Sequence, residues 1–388
     1  MMKKVKKVTN KAARQTEKIL LKDILFSPEK IIYLANLIKA NYPNFQVHEF
    51  INTSSSACKS LELKARINCL AENLNKYIPE NYESQLKILL SALPPPLDPN
   101  LCDNDFGDFI IAPFSHFVAR YGCQIHYLNL SLEALYEITK RFSAEDAVRY
   151  FLVTFPEETL HTLQVWSRDD NYHVRRLCSE GTRPSLPWSQ KINLPLNHSK
   201  VILDNLYSDT KRYVIRSVAN HVNDIAKHDP QLAISYLHTW KLSNKQSKKE
   251  MDYLCTHGLR TLLKQGHAKA LSLVGISKRL KFKLLEFTLQ KQARLNNYVS
   301  FSITVQSKIT ATTLILYRVY FQHRLGGIKS QKVFRLKQLK IVKNTSVTIS
   351  RKYKLNENAT TRKIYKGKHA LEILINGTSY GKKYFIVQ

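Results

Sequence analysis

Residues 171–188 read NYHVRRLCSEGTRPSLPW, and residues 213–227 read YVIRSVANHVNDIAK. The first stretch puts Arg175 and Arg176 side by side on a helix and leaves Glu180 at its C-terminal end, just before Gly181. The carbonyl end of a helix carries partial negative charge, so a carboxylate there typically costs about 0.3–1 kcal/mol. A residue so placed is a candidate for a task other than stability. The residue types suit two tasks. Arginines contact phosphates, which holds a protein in register without reading bases, and a carboxylate stabilises positive charge or orients a water molecule. A glutamate beside basic residues is, taken alone, more often an ordinary surface ion pair.

Composition narrows the partners. The chain has 388 residues, 44% of them hydrophobic, with only 11 Gly and 13 Pro. That is enough for real cores and for two or three domains of about 100–200 residues each. Its formal charge of +30 predicts attraction to a polyanion, nucleic acid first and an anionic membrane second. Cys58, Cys69, Cys102, Cys123, Cys178 and Cys255 include no C-x-x-C pair, so they read as reduced, mostly buried thiols. His173, His221, His228 and His257 lack completing ligands, and no metal or other cofactor is expected. The N-terminal stretch MMKKVKKVTNKAARQTEK is basic but has no apolar signal-peptide core. No run approaches the ~20 apolar residues of a membrane span. A soluble, cytoplasmic protein is expected, and charge alone does not choose DNA from RNA.

The elements that must position these residues follow from periodicity. A basic tail (1–17) precedes a helical region (18–278), in which EKIIYLANLIKANY, LELKARINCLAENLNKYI and YESQLKILLSAL carry apolar residues at i, i+3, i+4 spacing. Ser143 and Asp146 form an S-x-x-D pattern that predicts an N-terminal cap. Val174, Val214 and Leu254 are spaced by 40 residues. In that register Arg176 falls on Arg216 and Glu180 on Asn220, while Thr256 and Arg260 occupy the third unit. Helix pairs recurring at about 40 residues predict a HEAT-like α-solenoid with a basic concave face. Beyond residue 280 the period becomes alternating, and 281–388 predict five to seven strands of a small all-β immunoglobulin-like sandwich. INGTSYGKK reads as a hairpin. Residues 301–388 hold 18 Lys and Arg against 2 Asp and Glu, too basic a sandwich for mere ballast.

The strings SAEDAVRYFL, VRRLCSEGTRPSLPW, VIRSVANHVNDIAK, HGLRTLLKQGHAKAL and TTRKIYKGKHALEILINGTSYG resemble the AlkC-type DNA alkylation-repair glycosylases, relatives of AlkD. The similarity runs from LELKARI at 61–67 into the C-terminal sandwich. It implies a solenoid that embraces duplex DNA and excises cationic alkylated bases, chiefly 3-methyladenine and 3-methylcytosine, without flipping them into a pocket. The family's acidic positions fall on Glu145, Glu180 and Asp224, and its aromatic position on Trp188. Arg149, Arg175, Arg176, Arg183 and Arg216 are the phosphate-contact candidates in the solenoid, with Arg183 also able to lock its loop. Arg362, Lys363, Lys366 and Lys368, interleaved with Tyr365, form the densest basic cluster of the sandwich. Lys332, Arg335, Lys337 and Lys340 form a second. Trp166 and Trp240 are expected in the core. Two places depart from the family: Cys255 and Thr256 precede His257 where relatives carry an arginine, and the stretch before KVFRLK diverges.

The expected activity is thus that of a monofunctional glycosylase of base excision repair acting as a monomer on double-stranded DNA. The alternative is a non-catalytic HEAT-repeat protein that recognises damaged or distorted nucleic acid. The acids separate the two, because carboxylates weaken binding to a polyanion and a pure binder gains nothing from them. A protein-interaction scaffold fits the solenoid but leaves the charge unexplained.

Overall fold

The computed structural model describes residues 20–103, 106–359 and 362–388; the basic tail expected over 1–17 lies outside them. The helical region does not form one unit. The chain up to Pro99, together with the stretch ending at Thr159, makes one compact unit; the short segment beginning at Asn100 joins Leu160–Gln388 in the other.

The first unit holds α1 (Leu21–Leu25), α2 (Pro28–Asn41), α3 (Val47–Cys58), α4 (Leu63–Tyr77), α5 (Tyr82–Ser91), α6 (Ala112–Tyr121), α7 (Leu128–Thr139) and α8 (Glu145–Thr154). Ser27 and Asn81 cap α2 and α5 by accepting backbone N–H bonds. The spaced apolar residues Ile31, Leu34 and Ile38 of α2 and Leu70 and Leu74 of α4 are buried, as the helical period requires. α8 begins at Glu145 with Ala144, which has no capping side chain, in the cap position. Asp146 in its first turn pairs with Lys64 (3.0 Å) and His116 (3.2 Å).

α9 (Pro156–Trp166) carries the chain into the second unit, which continues through α10 (Tyr172–Gly181), α11 (Lys200–Leu206), α12 (Arg212–His228), α13 (Pro230–Leu242), α14 (Lys248–Gly258), α15 (Arg260–Gln265) and α16 (Ala268–Leu273). The repeat register is physical. Val174, Val214 and Leu254 are each fully buried, and polar bonds join one repeat to the next. Arg175 grips Asp209, Arg212 meets Glu250 at 2.6 Å, His257 meets Asn220 at 3.0 Å, and Thr261 donates to Asn223. Trp240 is core, stacked on Tyr207 at 5.0 Å. Trp166, expected there too, is only half-buried.

Among the described residues ten strands follow: β1 (Phe282–Leu289), β2 (Gln292–Ala293), β3 (Tyr298–Ser307), β4 (Ala311–Gln322), β5 (Ile328–Ile341), β6 (Ser346–Lys354), β7 (Asn358–Ala359), β8 (Arg362–Lys363), β9 (Gly367–Ile375) and β10 (Thr378–Val387). Three of these are two-residue pairings, which leaves seven full strands. A sheet ordered β1-β3-β6 faces one ordered β2-β10-β9-β4-β5. Val299, Ile303 and Val305 pack between them against Ile315, Val319 and Ile373.

The β9–β10 connection is the two-residue turn Asn376–Gly377, both residues at positive φ (+49° and +81°), the geometry an Asn-Gly hairpin favours. It docks on the helical part of the unit. Gly266 ends α15 in the left-handed region, and a Cβ on Gly377 would lie 2.3 Å from its Cα. The buried Asn376 amide secures the contact, accepting from Leu314 N–H and donating to the Ser277 carbonyl, both at 2.9 Å.

Gly377→Val is therefore expected to destabilise the protein by more than ~2 kcal/mol, through left-handed strain plus collision. Gly275→Val is the control, since Gly275 has a similar φ (+74°) with nothing within 4 Å of its Cβ position. Equal losses of Tm in the two variants would refute the tight contact.

Candidate active site

Asn171 caps α10 by accepting the His173 N–H bond, and the helix ends at Gly181, which leaves Glu180 in its last turn. The acid is 6% exposed. Arg183, one turn on, donates to Glu180 Oε1 at 2.6 Å, and the Ser217 hydroxyl of α12 donates to Oε2 at 2.6 Å. Arg176 lies 3.8 Å away on the preceding turn. The unfavourable helix end is thus outweighed by cations and a hydroxyl donor.

Arg183 turns its other edge to Asp224 on α12, with Nε and Nη2 at 2.9 and 2.8 Å from Oδ2. Lys227 donates to the remaining oxygen at 2.8 Å. One buried guanidinium therefore joins two carboxylates from successive repeats. Burial pushes the Glu180 pKa up, but Arg176, Arg183 and the Ser217 bond outweigh it and hold the acid below the ordinary carboxylate range. Arg183 is itself held above its usual value despite burial, by Glu180 and Asp224.

Cations surround this pair. Arg176 and Arg216 lie over the Tyr213 ring at 4.6 and 5.6 Å, and Arg212 over Tyr253 at 3.9 Å. Burial and the nearby Arg260, Arg216, Arg183 and Arg212 lower the His257 pKa to about 4. His257 is neutral at physiological pH, with Nε2 bonded to Asn220 Oδ1.

Trp188 has the opposite character. In the loop after α10 its side chain is 93% exposed, on a backbone with φ +68°. A bulky residue in the left-handed region is strained, and such strain concentrates at functional sites.

Several expected roles change. Asp224 is fully buried behind Arg183 and Lys227, so it cannot touch a substrate unless Arg183 leaves it. Arg149 is 1% exposed on the buried face of α8. Arg175 is committed to Asp209 and to the Asp169 and Asp170 carbonyls, and Arg183 to the two acids. Arg176 is buried as well. These four are internal ligands rather than free phosphate contacts. Arg216 pairs with Asp103 at 2.6 Å yet keeps a quarter of its side chain exposed. Glu145 opens α8 half-buried, in the first unit and at the helix end that favours negative charge. In the sandwich, Lys363, Lys366 and Lys368 are exposed, and Arg362 lies 4.1 Å over the Phe321 ring. Ser217, Arg212 and the tyrosines Tyr213 and Tyr253 were not singled out in the sequence. Their signal was the 40-residue register, since Tyr253 repeats Tyr213.

Among the described residues no group of His, Cys, Asp and Glu could hold a metal ion, and no helix is long and apolar enough to cross a membrane.

Comparison with known proteins agrees with this architecture. The family model described as "Uncharacterised protein YhaZ, C-terminal Ig-like domain" matches residues 283–388. The uncharacterized protein YhaZ of Bacillus subtilis (strain 168) is 33% identical over 362 residues, covering 92% of this chain and 96% of the relative. The solved structure of the Pseudomonas fluorescens alkylpurine DNA glycosylase AlkC, bound to DNA containing an abasic site analog, is 31% identical. It superposes with a TM-score of 0.85 over 95% of this chain and 100% of that one.

Arg183→Met strands two buried carboxylates and is expected to cost ~3–5 kcal/mol in urea denaturation. A loss under ~1 kcal/mol would mean that other groups already compensate them. A second outcome concerns pH. His257 binds its proton less readily folded (pKa about 4) than unfolded (6.5), so its contribution to stability is complete above about 6.5 and is lost as pH falls towards 4. In thermal melts over that window, His257→Gln should show a shallower fall in Tm than wild type; parallel curves would exclude this histidine as a source of the acid sensitivity.

Proposed function

Because this chain belongs to the AlkC-type family of HEAT-repeat proteins, we propose that it is a DNA glycosylase that removes cationic alkylated bases from duplex DNA. The observation that carries the reading is Glu180, a carboxylate kept ionised by its own cations at a position that does nothing for its helix. An N3-alkylated adenine or cytosine already bears positive charge, so it leaves with the electron pair of the glycosidic bond and needs no proton from an acid. What requires help is the sugar, which becomes oxocarbenium-like at C1′. Glu180 stabilises that charge electrostatically. It also orients the water that attacks C1′ and takes its proton. No lysine nucleophile is needed, and the product is an abasic site.

The other residues divide the remaining work. Asp224 is a positioning residue, fixing Arg183 and through it Glu180. Trp188, held outward on a strained backbone, presses its indole face on the deoxyribose and adds cation–π attraction to the developing charge. Glu145 is proposed as a third acid on the family correspondence alone. Arg216, Lys227 and the exposed lysines of the sandwich contact phosphates. The enzyme acts as a monomer in base excision repair, on 3-methyladenine and 3-methylcytosine that stay within the helix.

The test is base release from duplex DNA carrying 3-methyladenine or 3-methylcytosine, with affinity for intact duplex measured alongside. Glu180→Gln should slow release by at least ~100-fold and Asp224→Asn by ~10-fold through misplacement of Arg183, both with affinity retained. Wild-type protein that binds duplex tightly but releases neither base would instead establish the non-catalytic DNA-binding reading.

A further inference from the structure

We propose that the turn between β4 and β5 is a DNA-inserting wedge, with Leu325 as its apolar tip and Arg324 as its phosphate contact; the inference rests on the duplex-DNA reading above. Among the large apolar side chains described, only Trp188 and Leu325 are more than four-fifths exposed, Leu325 at 83%. Trp188 already has a place in the proposed chemistry. Leu325 has none, and it lies in the stretch before KVFRLK that departs from the family pattern.

The turn is built to hold this leucine outward. His323 N–H donates to the Gly327 carbonyl at 2.8 Å, and Gly326 N–H to the His323 carbonyl at 3.1 Å. Leu325 N–H donates to His323 Nδ1 at 3.2 Å. Gly326 and Gly327 take φ +87° and +72° with nothing within 4 Å of their Cβ positions, so glycine serves the backbone and leaves the tip slender.

The surroundings are those of a polyanion contact. With its amide turned to satisfy both neighbours, Gln322 donates to the Lys368 carbonyl at 3.0 Å and accepts from Gly327 N–H at 3.2 Å. Gln322 N–H also meets His369 Nδ1 at 3.4 Å. The tip is thereby tied to the segment bearing the exposed Lys366 and Lys368. Arg324 is exposed and has no ion pair among the described residues. Of the two acids in residues 301–388, Glu372 is engaged by Arg318 and Tyr320. A leucine on a slender basic tip matches the apolar side chains that minor-groove proteins insert between base steps, while flanking cations hold the backbone.

The experiment uses the full chain and duplexes with 2-aminopurine at successive positions, whose fluorescence rises when a base step opens. Wild type should raise the signal at one or two adjacent positions. Leu325→Ala should abolish that rise and weaken binding ~10-fold, the scale of burying one leucine, while Leu325→Met retains both. Arg324→Ala should flatten the salt dependence of affinity by about one phosphate contact. Leu325→Ala that matches wild type in signal and affinity overturns the wedge and leaves the DNA reading intact. Wild type that binds no duplex overturns both. Loss of binding to anionic phospholipid vesicles, with duplex binding unchanged, would assign the tip to a membrane and overturn the wedge as well.

Discussion

The bridge that Arg183 makes between Glu180 and Asp224 is the constraint on which the second unit depends. Taking one guanidinium and two carboxylates out of water costs several kcal/mol per ion unless each finds a partner in good geometry. Here every group does. Arg183 spans both acids, Lys227 takes the free oxygen of Asp224, and Ser217 takes that of Glu180. The cluster tolerates little displacement. Glu180 belongs to α10 and Asp224 to α12, so a slip of one helix against the other would leave a buried charge unpaired. Register between repeats is thus set by a cluster that includes Glu180, the carboxylate proposed to meet the sugar. Chemistry and alignment share one requirement.

A second constraint fixes the sandwich. Gly266 and Gly377 approach so closely that neither could carry a side chain, and Asn376 ties the turn to the Ser277 carbonyl. The basic strands of the sandwich are therefore presented from a defined place on the helical part of the unit rather than from a tether. Two cationic surfaces held in fixed relation bind a stiff polyanion with less loss of conformational freedom than two linked by a free chain.

Legibility in the sequence followed the range of the interactions. Elements governed by local periodicity were readable. The 40-residue spacing of Val174, Val214 and Leu254 located three helices, and Asn376–Gly377 located a hairpin. The odd position of Glu180 was readable too, because a helix dipole is a local property. The arginines were not. Arg149, Arg175, Arg183 and Arg216 look alike in sequence, but their fates depend on partners far along the chain, such as Asp209 for Arg175 and Asp103 for Arg216. Only the repeat register hints at such pairs, and Asp103 lies outside it. Asp224 is a related case, buried against Arg183. A motif position marks it as important without telling whether it faces the substrate or the residue that does. The exposure of Trp188 and Leu325 depends on single backbone turns with positive φ, which the prolines and glycines nearby permit but do not dictate.

A polyanion binder with acids at its centre looks contradictory, and the ranges of the two fields resolve it. Beyond about 8 Å of salt water only the surplus of charge is felt. Around Glu180 and Asp224 that surplus is positive, since Arg176, Arg183, Lys227, Arg212, Arg216 and Arg260 outnumber them. At contact distance inside a poorly solvated site the nearest group dominates instead, and for a cation brought against Glu180 that group is a carboxylate. On the proposed function, DNA is thus attracted by the whole surface, while a positive charge arising on one sugar is stabilised by one carboxylate. Arg183 makes the two compatible. It balances the acids' charge towards solvent yet helps keep Glu180 ionised, which a neutral hydrogen-bond donor in its place could not do.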